Sequence, residues 1–259
     1  MASVDHRVKV TMIEHYTDSL FRFRCERPPT LKFRAGQFIM LGLEIDGKPI
    51  MRAYSITSPE WDEEFEFYSI KIQDGPLTSR LQHIQVGDEL LLSGRAVGNL
   101  LPFSLRAGAR LWLLSTGTGV APFGSILRDE LTYQKFDQIF LTHTCRKVAD
   151  LQYSEQLAQT VYEDPLCDEY AAKQFHYYNS VTRDPDHPRQ GRITDLIRSG
   201  KLFDDLGVAS GFDPERDRVM LCGSMEFNLE LKAMLEEAGL RQTSGRNIGE
   251  YVLEKAFVG

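Results

Sequence analysis

The sequence has few cysteines, and their spacing matches no metal site. Its four cysteines stand at positions 25, 145, 167 and 222, with no Cys-x-x-Cys pair among them. This excludes an iron–sulfur cluster whose four ligands lie close together in sequence, and it argues against a disulfide scaffold. The six histidines include no His-Glu-x-x-His motif and no pair four residues apart, so we expect no metal site.

The sequence also lacks long apolar runs and an excess of positive charge. Apolar runs such as LWLL at 111–114 are far too short to span a bilayer, and the first ten residues contain no apolar core of the secretory type. The net charge of −7 argues against nucleic acid as a partner, although residues 1–34 hold seven basic and four acidic side chains. We therefore predict a cytoplasmic protein with no membrane partner, and nothing in the sequence requires more than a monomer.

Residues 1–100 show a strand pattern. Short apolar-alternating runs are separated by turn signals such as the Asp-Gly pairs at 46–47 and 74–75, and one short helix is expected at 78–83. The predicted strands cover residues 7–14, 19–26, 37–43, 51–57, 64–72 and 89–93. Six short strands with a single helix predict a six-stranded antiparallel β-barrel domain over residues 1–100.

Residues 101–259 alternate strands and helices instead. The predicted strands cover residues 110–115, 138–143, 174–180, 219–222 and 251–258. The predicted helices cover residues near 120–131, 151–163 and 225–237, with one or two short helices over 193–206. This alternation predicts an α/β domain with a parallel five-stranded sheet covered on both faces. The fold class is therefore a two-domain protein with its boundary near residue 100.

The stretch STGTGVAP at 115–122 has the properties of a phosphate-binding loop. Gly117 and Gly119 would let the backbone approach an anion closely, and the helix that follows would present free N–H groups. Pro122 replaces the third glycine of the full dinucleotide fingerprint and suits a first helical turn. A glycine pair after a strand is equally compatible with a plain turn.

Basic side chains follow the second and third strands of this domain. Arg146 stands where NAD-binding folds often place an acidic residue, and Arg183 and Arg192 flank the segment after the third strand. Isolated surface arginines are common, but three around one sheet edge favour NADP over NAD, since arginine suits a 2′-phosphate. The tripeptide CGS at 222–224 would let a flat ring approach the end of the fourth strand, although a buried structural cysteine is the simpler interpretation.

The stretch RAYSIT at 52–57 combines a cation, an aromatic ring and a hydroxyl within one short strand. An arginine can bind a pyrophosphate, a tyrosine can stack on a planar heterocycle, and a serine can hydrogen-bond to a ring nitrogen. The strand therefore predicts a flavin-binding edge. DGPLTSRL at 74–81 offers a second anion site, with Thr78 and Ser79 at a helix start, although an ordinary N-cap explains it equally well.

The motifs RAYS, GPLTS, GTGVAP and CGS, in this order, resemble those of the bacterial-type ferredoxin/flavodoxin–NADP+ reductases over essentially the full chain. The resemblance implies FAD in the first domain and NADP(H) in the second. The implied FAD site comprises Arg52, Ala53, Tyr54, Ser55, Tyr68, Ser69, Ile70, Gly75, Leu77, Thr78, Ser79, Ala256 and Phe257. The implied NADP(H) site comprises Thr116, Gly117, Thr118, Gly119, Thr144, Arg146, Arg183, Arg192, Cys222, Gly223 and Ser224.

The resemblance also implies roles for individual side chains. Arg52 would bind the FAD pyrophosphate, and Tyr54 would stack on the isoalloxazine. The implied catalytic residues are Ser55 near flavin N5, Cys222 beside the nicotinamide, and Glu254 as a proton relay. Plant-type relatives end on a tyrosine that covers the flavin. This chain has Ala256 at that position, followed by Phe257, which resembles a residue that stacks on the FAD adenine.

The implied activity is hydride transfer between NADPH and FAD, with single-electron exchange with ferredoxin or flavodoxin as a transient partner. Such partners are usually acidic, and the basic side chains of residues 7–34 could steer them, unless they form an ordinary solvated strand face. Two alternatives remain open. One is a reductase of free flavins, ferric chelates or an oxygenase component, and the other is a non-catalytic flavin-binding electron-transfer subunit.

Overall fold

A computed structural model describes residues 3–245 and 247–256 of the chain. These residues divide into two compact units. One unit contains residues 3–101 together with Ala121–Ile126, and the other contains Pro102–Val120 together with Leu127–Ala256. No helix in the described part of the chain is long and apolar enough to cross a membrane.

The first unit is built on six antiparallel strands, which confirms the sequence prediction. The strands are β1 (His6–His15), β2 (Leu20–Glu26), β3 (Phe38–Ile45), β4 (Lys48–Ser55), β5 (Glu64–Ile70) and β6 (Glu89–Leu92). Their order across the sheet is β4-β3-β6-β1-β2-β5. The two edge strands meet, because the N–H of Thr57, just beyond β4, donates to the carbonyl of Glu66 in β5 at 2.9 Å. This bond gives the sheet the character of a barrel.

The β3–β4 hairpin shows how turn chemistry sets the register of the strand that carries RAYS. Asp46 and Gly47 both have positive φ, at 51° and 69°, as the two-residue hairpin turn of type I′ requires. Pairing therefore runs without interruption from Ile45↔Lys48 to Phe38↔Ser55. The strand begins at Lys48, three residues earlier than the sequence indicated, because a turn this tight leaves no unpaired residue.

Aromatic rings fill the interior of the barrel. Phe21 and Phe23 of β2, with Phe65 and Phe67 of β5, are completely buried, and the ring centroids of Phe23 and Phe67 lie 5.4 Å apart. They alternate with outward-facing residues, as the two-residue period of a strand requires. Burial of each such ring stabilises the fold by roughly 1.5–3 kcal/mol. This core fixes the positions of β4 and β5, the strands that carry the flavin-type residues.

The second unit contains a parallel sheet of five strands, also as predicted. The strands are β7 (Arg110–Thr116), β8 (Gln138–Cys145), β9 (Phe175–Val181), β10 (Asp217–Gly223) and β11 (Tyr251–Lys255), in the order β11-β10-β7-β8-β9. All residues of β10 are buried, as expected for a parallel strand covered on both faces. The carboxyl ends of the five strands share one edge, which is where ligands bind in sheets of this kind.

The helices largely follow the predicted pattern, with one break and one addition. They are α1 (Thr78–Leu81), α2 (Ala121–Leu127), α3 (Glu130–Lys135), α4 (Gln152–Glu163), α5 (Asp168–Gln174), α6 (Ile193–Arg198), α7 (Lys201–Leu206) and α8 (Met225–Glu237). The single helix expected over 120–131 is wrong, because Asp129 caps a new helix by accepting a hydrogen bond from the Leu131 N–H at 3.2 Å. Helix α5 has no counterpart among the helices predicted from the sequence.

The first turns of α2 belong to the same unit as the barrel because a hydrogen bond links them to it. The N–H of Gly36 donates to the hydroxyl of Ser125 at 2.9 Å. Gly36 has φ of +92°, and a Cβ there would lie 1.9 Å from the carbonyl oxygen of Leu100, so the position requires glycine. Residues Ala121–Ile126, which follow the predicted phosphate loop, are thus part of the first unit.

Candidate nucleotide-binding sites

Arg52, Tyr54 and Ser55 lie at the carboxyl end of β4. Tyr54 faces the barrel interior, 9% exposed, with its ring edge-on to Phe23 and Phe67 at centroid distances of 6.3 and 6.2 Å. Arg52 and Ser55 are half-buried. Burial raises the pKa of Tyr54 to about 12, although a hydrogen bond from Ser69 opposes the shift, so the phenol stays protonated at neutral pH. The core thus fixes the tyrosine, and the arginine is left nearer the surface.

Arg52 carries a charge that no acidic side chain of the described residues neutralises. Its Nη1 donates to the carbonyl of Met51 at 2.8 Å. Among the described residues, no carboxylate oxygen lies within 4 Å of its guanidinium. A phosphate would supply the anionic acceptors that this side chain lacks, and charge-assisted bonds of this kind are the strong ones. The residue therefore fits a pyrophosphate group.

Tyr68, Ser69 and Ile70 form the end of β5. Tyr68 and Ser69 are buried and Ile70 is half-buried. The ring of Tyr68 meets that of Tyr16 edge to face at 6.1 Å. The hydroxyl of Ser69 donates to the hydroxyl oxygen of Tyr54 at 3.4 Å, which links β5 to the RAYS strand. The structure therefore brings these two predicted segments of the flavin site together.

The segment from Gly75 to Ser79 is a tight turn leading into a single helical turn. A Cβ on Gly75 would lie 2.1 Å from the hydroxyl of Thr78, so this hydroxyl can sit over the turn only because the residue is glycine. That hydroxyl donates to the carbonyl of Ile72 at 3.2 Å. Leu77 is the N-cap residue, and no side chain caps α1. The interpretation of this segment as an ordinary side-chain N-cap is therefore wrong. Ser79 is half-buried beside it.

The two glycines of STGTGVAP serve different purposes. Gly117 has φ of +54°, and no atom lies within 4 Å of where its Cβ would be, so the space over this residue is open. A Cβ on Gly119 would lie 2.0 Å from the carbonyl oxygen of Cys222, so Gly119 permits close packing of two strand ends. The residues Gly117–Val120 form a 3₁₀ turn before α2. The open left-handed position at Gly117 fits a close-lying anion.

His143 contacts this loop through the carbonyl of Gly117. It was not among the residues predicted from the sequence. It is 1% exposed on β8, and its Nε2 lies 2.8 Å from the carbonyl oxygen of Gly117. Its Nδ1 lies 2.6 Å from the hydroxyl of Ser154, which in turn lies 2.6 Å from the hydroxyl of Tyr177. Burial lowers the pKa of His143 to about 4, with the Gly117 bond opposing, so the ring is neutral at pH 7.

Arg146 and Arg183 follow β8 and β9 and lie side by side. The N–H of Arg183 donates to the carbonyl of Arg146 at 2.9 Å. Both residues are exposed, and no carboxylate of the described residues comes within 4 Å of either guanidinium. Two such arginines at one sheet edge fit a 2′-phosphate. Thr144, also predicted for this site, is buried with its hydroxyl 2.7 Å from that of Ser180.

Arg192 differs from the other two predicted arginines. Its guanidinium pairs with Glu226 at 3.3 Å and with Glu230 at 3.7 Å, both on α8. Its charge is therefore already offset by carboxylates. Arg192 therefore fits a phosphate site less well than Arg146 and Arg183 do.

Cys222 and Glu254 are register partners on the neighbouring parallel strands β10 and β11. Cys222 is 2% exposed, and burial, with a smaller contribution from the Glu254 charge, raises the pKa of its thiol far above the usual range. The thiol is therefore neutral at physiological pH. The backbone carbonyl of Glu254 accepts a hydrogen bond from the side-chain amide of Asn228 at 2.8 Å, which fixes this part of β11 to α8.

Gly223 and Ser224 complete the end of β10. A Cβ on Gly223 would lie 2.5 Å from both the Thr116 hydroxyl and the Phe227 ring, so glycine brings the ends of β7 and β10 together. Ser224 is the N-cap of α8, and its hydroxyl accepts a hydrogen bond from the Phe227 N–H at 3.2 Å. The N–H of Ala256 donates to the carbonyl of Gly223 at 2.9 Å. Phe257 lies outside the described residues.

Most basic side chains of residues 7–34 form ion pairs or hydrogen bonds with other residues of the barrel unit. Arg7 pairs with Glu44 and Glu89, Arg22 with Glu14 and Glu66, Arg24 with Asp62 and Glu64, and Arg34 with Glu60. Arg27 donates to three backbone carbonyls and lies over the ring of Phe33 at 4.9 Å. The ordinary strand-face interpretation therefore explains this segment better than a docking rim does.

Comparison with known proteins decides between families. A model of the oxidoreductase FAD-binding domain matches residues 8–100, and a model of the oxidoreductase NAD-binding domain matches residues 113–230. The flavodoxin/ferredoxin–NADP reductase of Rhodobacter capsulatus is 53% identical over 96% of this chain and 92% of its own length. The chain belongs to the flavodoxin/ferredoxin–NADP reductase family.

Further relatives agree with this assignment. A ferredoxin–NADP reductase of Pseudomonas aeruginosa is 45% identical over 96% of each chain. The crystal structure of a ferredoxin NADP+ reductase from Neisseria gonorrhoeae with bound FAD and NADP covers 97% of this chain and 98% of its own, at 30% identity and a TM-score of 0.88. The resemblance that the motifs predicted is therefore confirmed, together with the fold of the flavodoxin/ferredoxin–NADP reductase family.

Proposed function

We propose that this chain is an FAD-dependent reductase that transfers a hydride between NADPH and FAD and exchanges single electrons with ferredoxin or flavodoxin. The observation that carries the proposal is the pair Arg146 and Arg183, whose backbones are hydrogen-bonded at the sheet edge and whose guanidinium groups have no carboxylate within 4 Å in the described structure. A family member that bound NAD alone would have no use for two unneutralised arginines there. Support comes also from the named reductases that match over nearly the whole chain.

Residues 1–100 would bind FAD. Arg52 would hold the pyrophosphate with its unneutralised guanidinium, and Tyr54 and Tyr68 would flank the isoalloxazine from strands that the aromatic core fixes in register. The other residues of this domain that we assign to FAD are Ala53, Ser55, Ser69, Ile70, Gly75, Leu77, Thr78 and Ser79. Support for this assignment is the hydrogen bond from Ser69 to Tyr54, which joins the two predicted walls.

Residues 101–259 would bind NADP(H). The segment Thr116 to Gly119 would receive the pyrophosphate over the open position at Gly117, and Arg146 with Arg183 would bind the 2′-phosphate. Support for the first assignment is the left-handed backbone at Gly117, which lets a ligand approach without meeting a side chain. Arg192 is a weaker candidate because Glu226 and Glu230 already pair with it.

The chain's own contribution to the chemistry would be alignment and proton handling. FAD, when bound, supplies the hydride and single-electron reactivity. Ser55 would hydrogen-bond near the reactive edge of the flavin. Cys222, as a buried neutral thiol, would form a wall for the nicotinamide rather than act as a nucleophile. Glu254 would exchange protons at this edge, from a position that its pairing with Cys222 along the sheet and the Asn228 hydrogen bond to its carbonyl define.

The partner would be a ferredoxin or a flavodoxin, as in the names of the relatives. We expect the protein to act as a monomer in the cytoplasm. All four cysteines are buried and none is in a disulfide, as is usual in a reducing compartment.

A steady-state assay tests this function. Purified FAD-loaded protein is mixed with NADPH and cytochrome c, with and without ferredoxin or flavodoxin from the source organism. We expect cytochrome c reduction that depends on the added carrier protein. Rates that are equally high with free FMN or a ferric chelate, and that ignore the carrier, would instead favour a flavin or ferric reductase. A flavoprotein that shows no NADPH oxidation with any acceptor would be a non-catalytic electron-transfer subunit.

A further inference from the structure

The backbone of Gly117, in the predicted phosphate loop, contacts two buried ionisable side chains, those of His143 and Cys145. Its carbonyl oxygen is the acceptor in the contact with His143. The acceptor is 2.8 Å from Nε2 of His143, a residue that is 1% exposed and fully enclosed by the second unit. A buried histidine at this distance from a carbonyl can form a hydrogen bond only as a donor, since the carbonyl has no proton to give. The proton of the neutral ring must therefore be on Nε2.

The rest of the network is compatible with this tautomer. With its proton on Nε2, the ring accepts at Nδ1, where the hydroxyl of Ser154 lies 2.6 Å away. The hydroxyl of Tyr177 lies 2.6 Å from that of Ser154 and can donate to it. The Ser154 hydroxyl also lies 2.9 Å from the carbonyl of Leu151, so its single proton has two acceptors within reach, that carbonyl and Nδ1. Ser154 is completely buried on α4, so its contact with His143 is shielded from water, whereas Tyr177 is half-buried.

Anchoring this carbonyl also orients the next N–H. The peptide between Gly117 and Thr118 is planar and trans, so its N–H points away from its C=O. A carbonyl held down toward His143 directs the Thr118 N–H to the opposite side of the loop. Gly117 has the conformational freedom of a left-handed glycine, φ +54°, and without an anchor this peptide could rotate at little cost.

We propose that His143 is a positioning residue that, by donating from Nε2 to the Gly117 carbonyl, holds the 116–119 loop in the conformation that accepts the pyrophosphate of NADP(H). This rests on the proposed function, in which that loop receives the pyrophosphate. His143 does not contact the coenzyme. It acts through the backbone of the loop, and the Gly117 carbonyl fixes its tautomer.

The test compares two ligands and two substitutions at this histidine. His143→Gln keeps an N–H donor near the position of Nε2, whereas His143→Asn places its amide near Nδ1 and cannot reach the Gly117 carbonyl. Each FAD-loaded variant is titrated calorimetrically with NADP+ and with adenosine 2′-monophosphate, which has the 2′-phosphate but no pyrophosphate. We expect H143N to lose about threefold to tenfold in NADP+ affinity, the range expected for one hydrogen bond, and less than about twofold in affinity for the monophosphate. H143Q should recover most of the NADP+ affinity.

Three results would overturn the proposal. Equal NADP+ affinity in wild type, H143N and H143Q would show that the bond does not position the loop. A parallel loss for both ligands would indicate general loosening of the unit, as would a failure of H143Q to restore binding. If H143N does not fold, Ser154→Ala provides a second comparison, since removing the group 2.6 Å from Nδ1 frees the ring to move away from the Gly117 carbonyl and should weaken NADP+ binding selectively. If the wild-type protein itself binds no NADP+, the proposed function fails instead.

Discussion

Arginines of the barrel strands and arginines beside the candidate sites differ in what surrounds their charge. Arg7, Arg22 and Arg24 each contact two carboxylates that come from other strands or loops of the first unit. Arg52 and Arg146 have no carboxylate within 4 Å in the described structure. Both groups are basic residues on or just after strands, so sequence position alone does not separate them. We interpret the first group as stabilising the sheet, and we propose that the second group binds an anion.

The largest effect is expected at the sheet edge of the second unit. Replacing Arg146 and Arg183 together with glutamate removes two charge-assisted bonds to a 2′-phosphate and adds repulsion. We expect NADPH binding to weaken by about 3–6 kcal/mol, with R146E alone near half of this. NADH lacks the 2′-phosphate, so its affinity should not fall. The measurement is the Kd of each coenzyme by calorimetry. A matched loss for NADPH and NADH would mean that these arginines do not select the coenzyme.

The second prediction concerns pH and separates the two units by their histidines. The pKa of His143 is about 4 in the folded second unit and about 6.5 when the chain is unfolded. Below pH 6.5 the unfolded chain takes up the proton first, so this unit loses stability as pH falls, by about 3 kcal/mol in total near pH 4. In the first unit, burial lowers the pKa of His15, but this side chain is exposed, so we expect a smaller effect of pH there.

Hydrogen exchange of the two sheets at pH 7 and pH 4.5 measures this difference. Protection of β7–β10 should fall more than protection of β1–β6 in the wild type. The variant H143Q cannot titrate at this position and should lose less protection in the second unit. An identical loss in wild type and H143Q would remove His143 from the acid response.

The third prediction concerns FAD. Arg52→Gln removes the guanidinium assigned to the FAD pyrophosphate, and FAD affinity should fall by about 1.5–3 kcal/mol while the barrel remains folded. The ratio of bound FAD to protein after purification, followed by fluorescence titration of the apoprotein, measures the effect. An R52Q protein that retains full FAD affinity would show that an unneutralised arginine here does not mark the phosphate site.

The smallest effect is expected from a paired arginine, which serves as the control for the third prediction. Arg24→Gln breaks contacts with Asp62 and Glu64 in the same unit. Each such partly exposed pair contributes about 0.2–1 kcal/mol, so losing both should lower the free energy of unfolding by no more than about 2 kcal/mol, and FAD affinity should stay unchanged. If R24Q lowered FAD affinity as much as R52Q does, the proposed distinction between paired and unpaired arginines would be wrong.

The architecture and the motif positions were predictable from the sequence because they depend on local patterns. Alternating apolar residues, the Asp46–Gly47 turn and the glycine pair at 117 and 119 are all short-range signals. The helix break at Asp129 was missed because a capping aspartate inside an apolar pattern is easily taken for an exposed helical residue.

The partners of individual side chains were not predictable, because they come from distant positions. Arg7 meets Glu89, 82 residues away, once β1 and β6 pair, so the basic excess of the first 34 residues gives no hint that it is neutralised. His143 was missed for a related reason. A lone histidine in an apolar strand is usually a core residue, and only the fold shows that the Gly117 carbonyl lies above it.

Anaerobic mixing of the purified yellow protein with NADPH or NADH tests the central claim most directly. We propose that the first unit binds FAD and that the second binds a 2′-phosphorylated coenzyme. The flavin absorbance near 450 nm should therefore bleach rapidly with NADPH and far more slowly with NADH at equal concentration. A folded sample that holds no FAD, or a flavin that NADPH does not bleach, would contradict the account.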